Sequence, residues 1–193
     1  MAKRLVFAVV TLLTAVIATP AARVDIHDQF TSSSRQIEPS AADQVEFVSD
    51  EDYEIRRRDV ASSSSLATHR PNALAGTPWW HIRHATRDWN NRDIPTRQGN
   101  SNFGYQKTCG KHNMCSPRAI EAPYHGYPDE TQGTRNVYYG YVLVNGRPRI
   151  KLKSVADTSQ RTALGNTPDG RPVGTLTAYC MGMERCPDWV NSR

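Results

Sequence analysis

His112, His125, Glu130 and Arg135 are the side chains of this 193-residue chain best suited to acid–base work. Cleavage of RNA by 2'-O transphosphorylation needs a general base, a general acid and a cation for the phosphate, and His, Glu and Arg supply them. These residues define one functional expectation, a secreted ribonuclease-like hydrolase, although neighbours along loops need not converge in space. A second polar set, His81, His84 and Asp88, has offsets of three and four, so a helix there would present all three toward one metal ion. It lacks the glutamate and the spacing of a zinc-protease helix, and no metal is expected. Gly-x-Ser-x-Gly elbows, phosphate-binding glycine loops and dinucleotide fingerprints are also missing from the sequence, which removes several common enzyme classes and implies no cofactor.

The other expectation is binding. Arg147, Arg149, Lys151 and Lys153 recur at every second position, so a strand would set them along one face with Ile150 and Leu152 on the other. Such a row guards a sheet edge against aggregation, or it meets a polyanion or an acidic protein surface. Tyr139 and Tyr141, on the preceding run, are its aromatic companions.

The elements that position these groups begin with a hairpin. Asn145-Gly146 joins the Val137–Val144 run to Arg147–Val155, and an Asn-Gly pair favours a two-residue turn because both residues take positive φ. Pro148 lacks an amide donor and suits an edge or a strand start. A last strand is expected over Val173–Cys180. Thr77 and Pro78 read as the start of a short helix with Trp79, Ile82, Thr86 and Trp89 on its buried face, ending at Asn90 and Asn91. Residues 92–136 are rich in Gly and Pro and carry no helical pattern. The expected class is α+β: a mostly antiparallel β domain with one short N-terminal helix, stabilised by two disulfides.

The four cysteines, Cys109, Cys115, Cys180 and Cys186, allow three connectivities, and spacing alone does not choose among them. A zinc site is the rival arrangement, but five residues between the members of each pair suit it poorly.

Four segments are expected. Residues 1–18 read as a signal peptide: Lys3 and Arg4 precede an uncharged apolar run, and Val16 and Ala18 suit signal peptidase. Residues 19–58 form an acidic pro-segment, with nine acids against Arg35 alone between Val24 and Ile55, and are expected to be disordered. The segment ends in Arg56, Arg57 and Arg58, a cluster suited to a kexin-type protease. Residues 59–76 are a flexible arm and 77–193 the compact domain. From residue 59 onward seventeen Lys and Arg face ten Asp and Glu, so the acidic segment would screen a basic domain during export. No later stretch is apolar enough for integral membrane association.

The layout resembles that of small secreted cysteine-containing effector proteins of fungi: a signal peptide ending at Ala18-Thr19-Pro20, a tribasic cluster at Arg56–Arg58, and a compact four-cysteine domain. That resemblance implies a ligand or inhibitor of a host protein, acting outside the producing cell or within a host cell. The leading expectation is therefore a secreted binding protein whose target is a host or extracellular protein, or a polyanion.

Overall fold

The computed structural model describes residues 38–58 and 76–192. The expected signal peptide with Ala18, and the arm apart from Gly76, lie outside them. The described chain is mostly antiparallel β-structure with a few short helices. Its cysteines pair locally, Cys109 with Cys115 and Cys180 with Cys186. No helix among the described residues is long and apolar enough to cross a membrane.

The Asn-Gly hairpin forms the centre. Strands β5 (Arg135–Val144) and β6 (Arg147–Asp157) pair antiparallel, and the turn between them has Asn145 at φ 52° and Gly146 at φ 72°. The β5 sequence alternates as a half-covered strand should, with Asn136, Tyr138, Gly140 and Val142 buried on one face. Strand β9 (Gly174–Cys180) adds to β6, close to the strand expected at Val173–Cys180. On the other side β5 pairs with β1 (Val45–Ser49) and with the short β4 (Glu130–Gln132), giving the path β1-β5-β6-β9. Two smaller hairpins complete the strands: β2 (Ile82–Arg87) with β3 (Asp93–Arg97), and β7 (Arg161–Thr162) with β8 (Gly165–Asn166).

The core lies between the inner sheet face and the layer of short helices. Tyr138, Val142, Ile150, Leu152 and Ala178 meet Met114, Ile120, Tyr124, Trp189 and Val190 there. Tyr124 and Tyr138 stack edge to face at 4.9 Å, and both hydroxyls are satisfied, Tyr124 donating to Thr175 Oγ1 and Tyr138 to Asp88 Oδ2. Burial pushes both phenols above their ordinary range.

Three sequence expectations are corrected. The stretch read as a helix from Thr77 to Trp89 is instead the turn and strand that open the β2–β3 hairpin. The expected Trp79, Ile82, Thr86 and Trp89 face is not a buried stripe, since Trp89 is 56 % exposed and the other three are only half-buried. Ile82, Thr86, Ile94 and Thr96 are β-branched and suit a pleated surface, while Asp88 closes the turn by accepting from the Arg92 backbone N–H and from Arg92 Nε.

Second, residues 92–136 do contain helical turns. A π-helical turn spans Gln106–Lys111, α2 spans Pro117–Glu121, and a 3₁₀ turn spans Ala122–His125. Pro117 stands at the first helical position, where its missing N–H costs nothing.

Third, the part of the acidic segment that is described is ordered. β1 pairs along its full length with Gly140–Val144, and α1 (Asp50–Arg58) follows at once. Val45 and Phe47 pack on the core, and Ser49 Oγ accepts from the Asp52 N–H as an N-cap. Asp50, Glu51 and Asp52 occupy the first turn of α1 and Arg56, Arg57 and Arg58 the last, the order that complements the helix dipole. The net charge of Val24–Ile55 conceals the short apolar Val45-Glu46-Phe47-Val48 run.

The candidate binding face of the sheet

Residues directly opposite one another on paired strands share a face. On the outer face, away from the core, Tyr139 lies opposite Lys153 and Lys153 opposite Tyr179. One step along, Tyr141 lies opposite Lys151. The result is an alternation of tyrosine and lysine across three strands. Lys151 Nζ stands 4.6 Å from the Tyr139 ring centroid and 5.9 Å from that of Tyr141, and Lys153 Nζ stands 5.3 Å from Tyr139. Contacts of this kind contribute about 0.5–1 kcal/mol each when exposed and hold the ammonium groups against the rings.

The basic row does not survive as one ridge. Val142 pairs with Ile150 but Leu143 with Pro148, so Arg149 is an extra residue in β6 and the alternation is reset there. Lys151 and Lys153 stay with the tyrosines. Arg147, opposite Val144, falls on the inward side of the pleat, and both arginines are exposed near the turn. The break also separates two roles. β9 covers β6 only from Leu152 to Asp157, so Arg147–Ile150 has an open edge that charge and Pro148 protect. Lys153 stands in mid-sheet, where no edge needs protection.

Polar groups frame the row at both ends. Tyr139 donates its hydroxyl to Glu130 Oε1 at 2.8 Å, and burial followed by that bond raises the phenol, with Lys153 opposing. Burial pulls Lys153 down, but Tyr139, Tyr179 and Glu130 outweigh it and keep its ammonium charged. At the β9 end the His112 ring lies 5.3 Å from Tyr179. Burial lowers the proton affinity of His112; the Glu184 carbonyl opposes this, and Lys111, Lys107 and Arg185 reinforce it. Lys107 is lowered in the same way, by burial and then by Lys111 and Arg135. A positive field therefore surrounds the tyrosines at this end.

The hydrolase candidates are not gathered into one set. Glu130 and His112 stand at opposite ends of the Tyr139–Lys153–Tyr179 row. His125 ends the 3₁₀ turn that packs, through Tyr124, on the inner face. Arg135 starts β5, paired with Asp157. The metal candidates are separated too. His84 Nδ1 pairs with Glu121 Oε1 at 2.5 Å, Asp88 is taken by Arg92 and Tyr138, and no metal-holding group of three or more His, Cys, Asp or Glu occurs among the described residues.

Tyr179, Lys107, Lys111 and Arg185 are members of this face that the sequence did not single out. Tyr179 was legible as a residue of the last strand. Its place beside Lys153 was not, because that follows from the register of β9 against β6. Lys111 and Arg185 arrive on loops closed by the two disulfides and Lys107 on the π-helical turn that leads into the first, with Arg185 Nη1 donating to the carbonyls of Gly110 and Lys111.

Helix α1 covers the remaining end of the face. Tyr53 packs on Tyr141 with centroids 4.8 Å apart, and Arg56 pairs with Glu46 of β1. Burial, then the nearby Asp50, Tyr53, Glu54 and Asp129, raise the Tyr141 phenol. Comparison with known protein families, curated proteins and solved structures gives no match to this chain.

Proposed function

We propose that the chain is an exported, effector-type binding protein, processed at Arg56–Arg58, that engages a polyanion through the tyrosine–lysine face. The observation that carries this is Lys153 in mid-sheet between Tyr139 and Tyr179, a position that edge protection does not explain. Half-exposed tyrosines offer flat apolar surfaces, and the lysines and arginines around them offer charge. Together they suit a chain of ring units carrying regularly spaced anionic groups, as in an acidic polysaccharide or a single-stranded nucleic acid. Export and action on a host rest on the sequence layout; the chemistry rests on the face.

The test is binding of a sulfated polysaccharide and of single-stranded RNA, each at low and high salt. Binding by the parent protein should weaken steeply with salt, and the double variant Lys151→Glu, Lys153→Glu should lose about tenfold or more in affinity at low salt. Arg147→Glu, beyond the bulge, should lose much less. Equal affinity of parent and double variant for both polymers would refute the assignment of this face.

A further inference from the structure

The edge of β5 from Gly140 to Val144 is built to hold a strand, and the strand it holds precedes the tribasic cluster. Val48 and Ser49 are 3 % and 0 % exposed, so β1 is part of the packed structure and not a surface trace. Its entry is fixed at the central turn. The Gln44 N–H donates to Asn145 Oδ1, the Asn145 N–H returns a bond to the Gln44 carbonyl, and Asn145 Nδ2 donates to Asp43 Oδ1. Its exit is fixed as well: the Tyr127 N–H donates to Glu51 Oε1, and Tyr53 lies on Tyr141. The seat is shaped to match, because a Cβ on Gly140 would lie 2.5 Å from the Val48 carbonyl oxygen.

The segment contains no cysteine, and its covalent link to the rest of the described structure runs through residues 59–75. We infer that cleavage after Arg58 yields a two-chain protein, in which the segment ending at Arg58 stays seated on β5 as β1 and α1 instead of being shed. This rests on the processing reading above and changes its outcome. Loss of the segment would leave the Gly140–Val144 edge of β5 open on the side away from β6 and remove the strand paired with the buried Val142 and Leu143. Strand addition of this kind holds a partner by main-chain bonds, with alternate side chains such as Val45 and Phe47 filling apolar positions. Cutting needs the last turn of α1 to open, since proteases of this class take an extended chain; it does not need β1 to leave.

The experiment uses the full chain with a site-specific protease sequence inserted between Arg58 and Asp59. After cutting, native mass spectrometry and size-exclusion chromatography in physiological salt should find both chains in one complex. Val48→Asp in the same background should free the small chain, lowering its retention about tenfold or more. Recovery of the small chain free of the large one in the parent would overturn the inference. A kexin-type protease applied to the unaltered chain tests the other half: failure to cut at Arg56–Arg58 refutes processing, and the inserted site still decides retention.

Discussion

Replacing Arg97 with alanine should destabilise the protein by about 3–5 kcal/mol, the range for removing one partner of a buried ion pair. The Arg97 side chain is fully buried and every nitrogen has an acceptor. Nη1 and Nη2 fork onto the two carboxylate oxygens of Asp169, and the guanidinium also donates to the carbonyls of Trp80, Arg171 and Pro172. It thus ties the β2–β3 hairpin to the loop that enters β9. Thr96 Oγ1 and Thr175 Oγ1 meet at 2.7 Å beside it, and a Cβ on Gly174 would lie 1.9 Å from the Pro95 carbonyl oxygen. Arg97→Lys should recover only part of the loss, because one ammonium group cannot reach a forked set of acceptors. Asp169→Asn should cost less than either, since that carboxylate is 35 % exposed. Urea denaturation of the three variants gives the order. A loss of under 1 kcal/mol for Arg97→Ala would mean that the hairpin is not anchored there.

The second large effect is a dependence on pH at the seat of the acidic segment. Asp50 is half-buried beside Glu51 of its own helix and Asp129 of the loop before β4, with Tyr141 and Glu54 near. Burial first, then hydrogen bonding to Glu51 and Asp129 and their charges, raise its pKa from 3.8 to about 8. When β1 and α1 are released the group returns to the ordinary carboxyl range. The docked state therefore binds the extra proton between about pH 4 and pH 8, and its stability falls as pH rises through that window. The group is near enough to solvent that screening reduces the effect to about 1–2 kcal/mol. Asp50→Asn should stabilise the protein by that amount at pH 8 and leave it unchanged at pH 4, with denaturant midpoints as the readout. A parent whose stability rises between pH 5 and pH 8, with no difference from Asp50→Asn, would show that the carboxyl groups do not repel one another.

What the sequence disclosed follows from how locally each element is determined. Asn145-Gly146 needs only its own two residues to adopt positive φ, and the hairpin around it was legible with its strands nearly in place. The pairing of Tyr139 with Lys153 follows from that turn. The bulge at Arg149 does not, because it depends on how Leu143 and Pro148 meet across the strands, and it divides a row that looked continuous. Residues 77–89 fold as turn and strand although Trp79, Ile82, Thr86 and Trp89 satisfy a helical period by chance. The long-range bonds of Asp88 and Arg97 decide the outcome there, and composition carries no trace of them. β1 is hidden for the opposite reason: its short Val45-Glu46-Phe47-Val48 run lies within a segment whose net charge suggests disorder. Of the basic face, the two central lysines and two of the tyrosines were legible, while Tyr179, Lys107, Lys111 and Arg185, brought there by long-range pairing and the folds around the disulfides, were not.

Taking the acidic segment as part of the fold has one direct test, hydrogen exchange on the intact, uncut chain. Amides of Val45–Ser49 that enter the ladder with β5 should be protected to a degree comparable with those of β6, because both belong to one sheet. Exchange of Val45–Ser49 at the rate of an unstructured peptide, while β6 stays protected, would contradict the account.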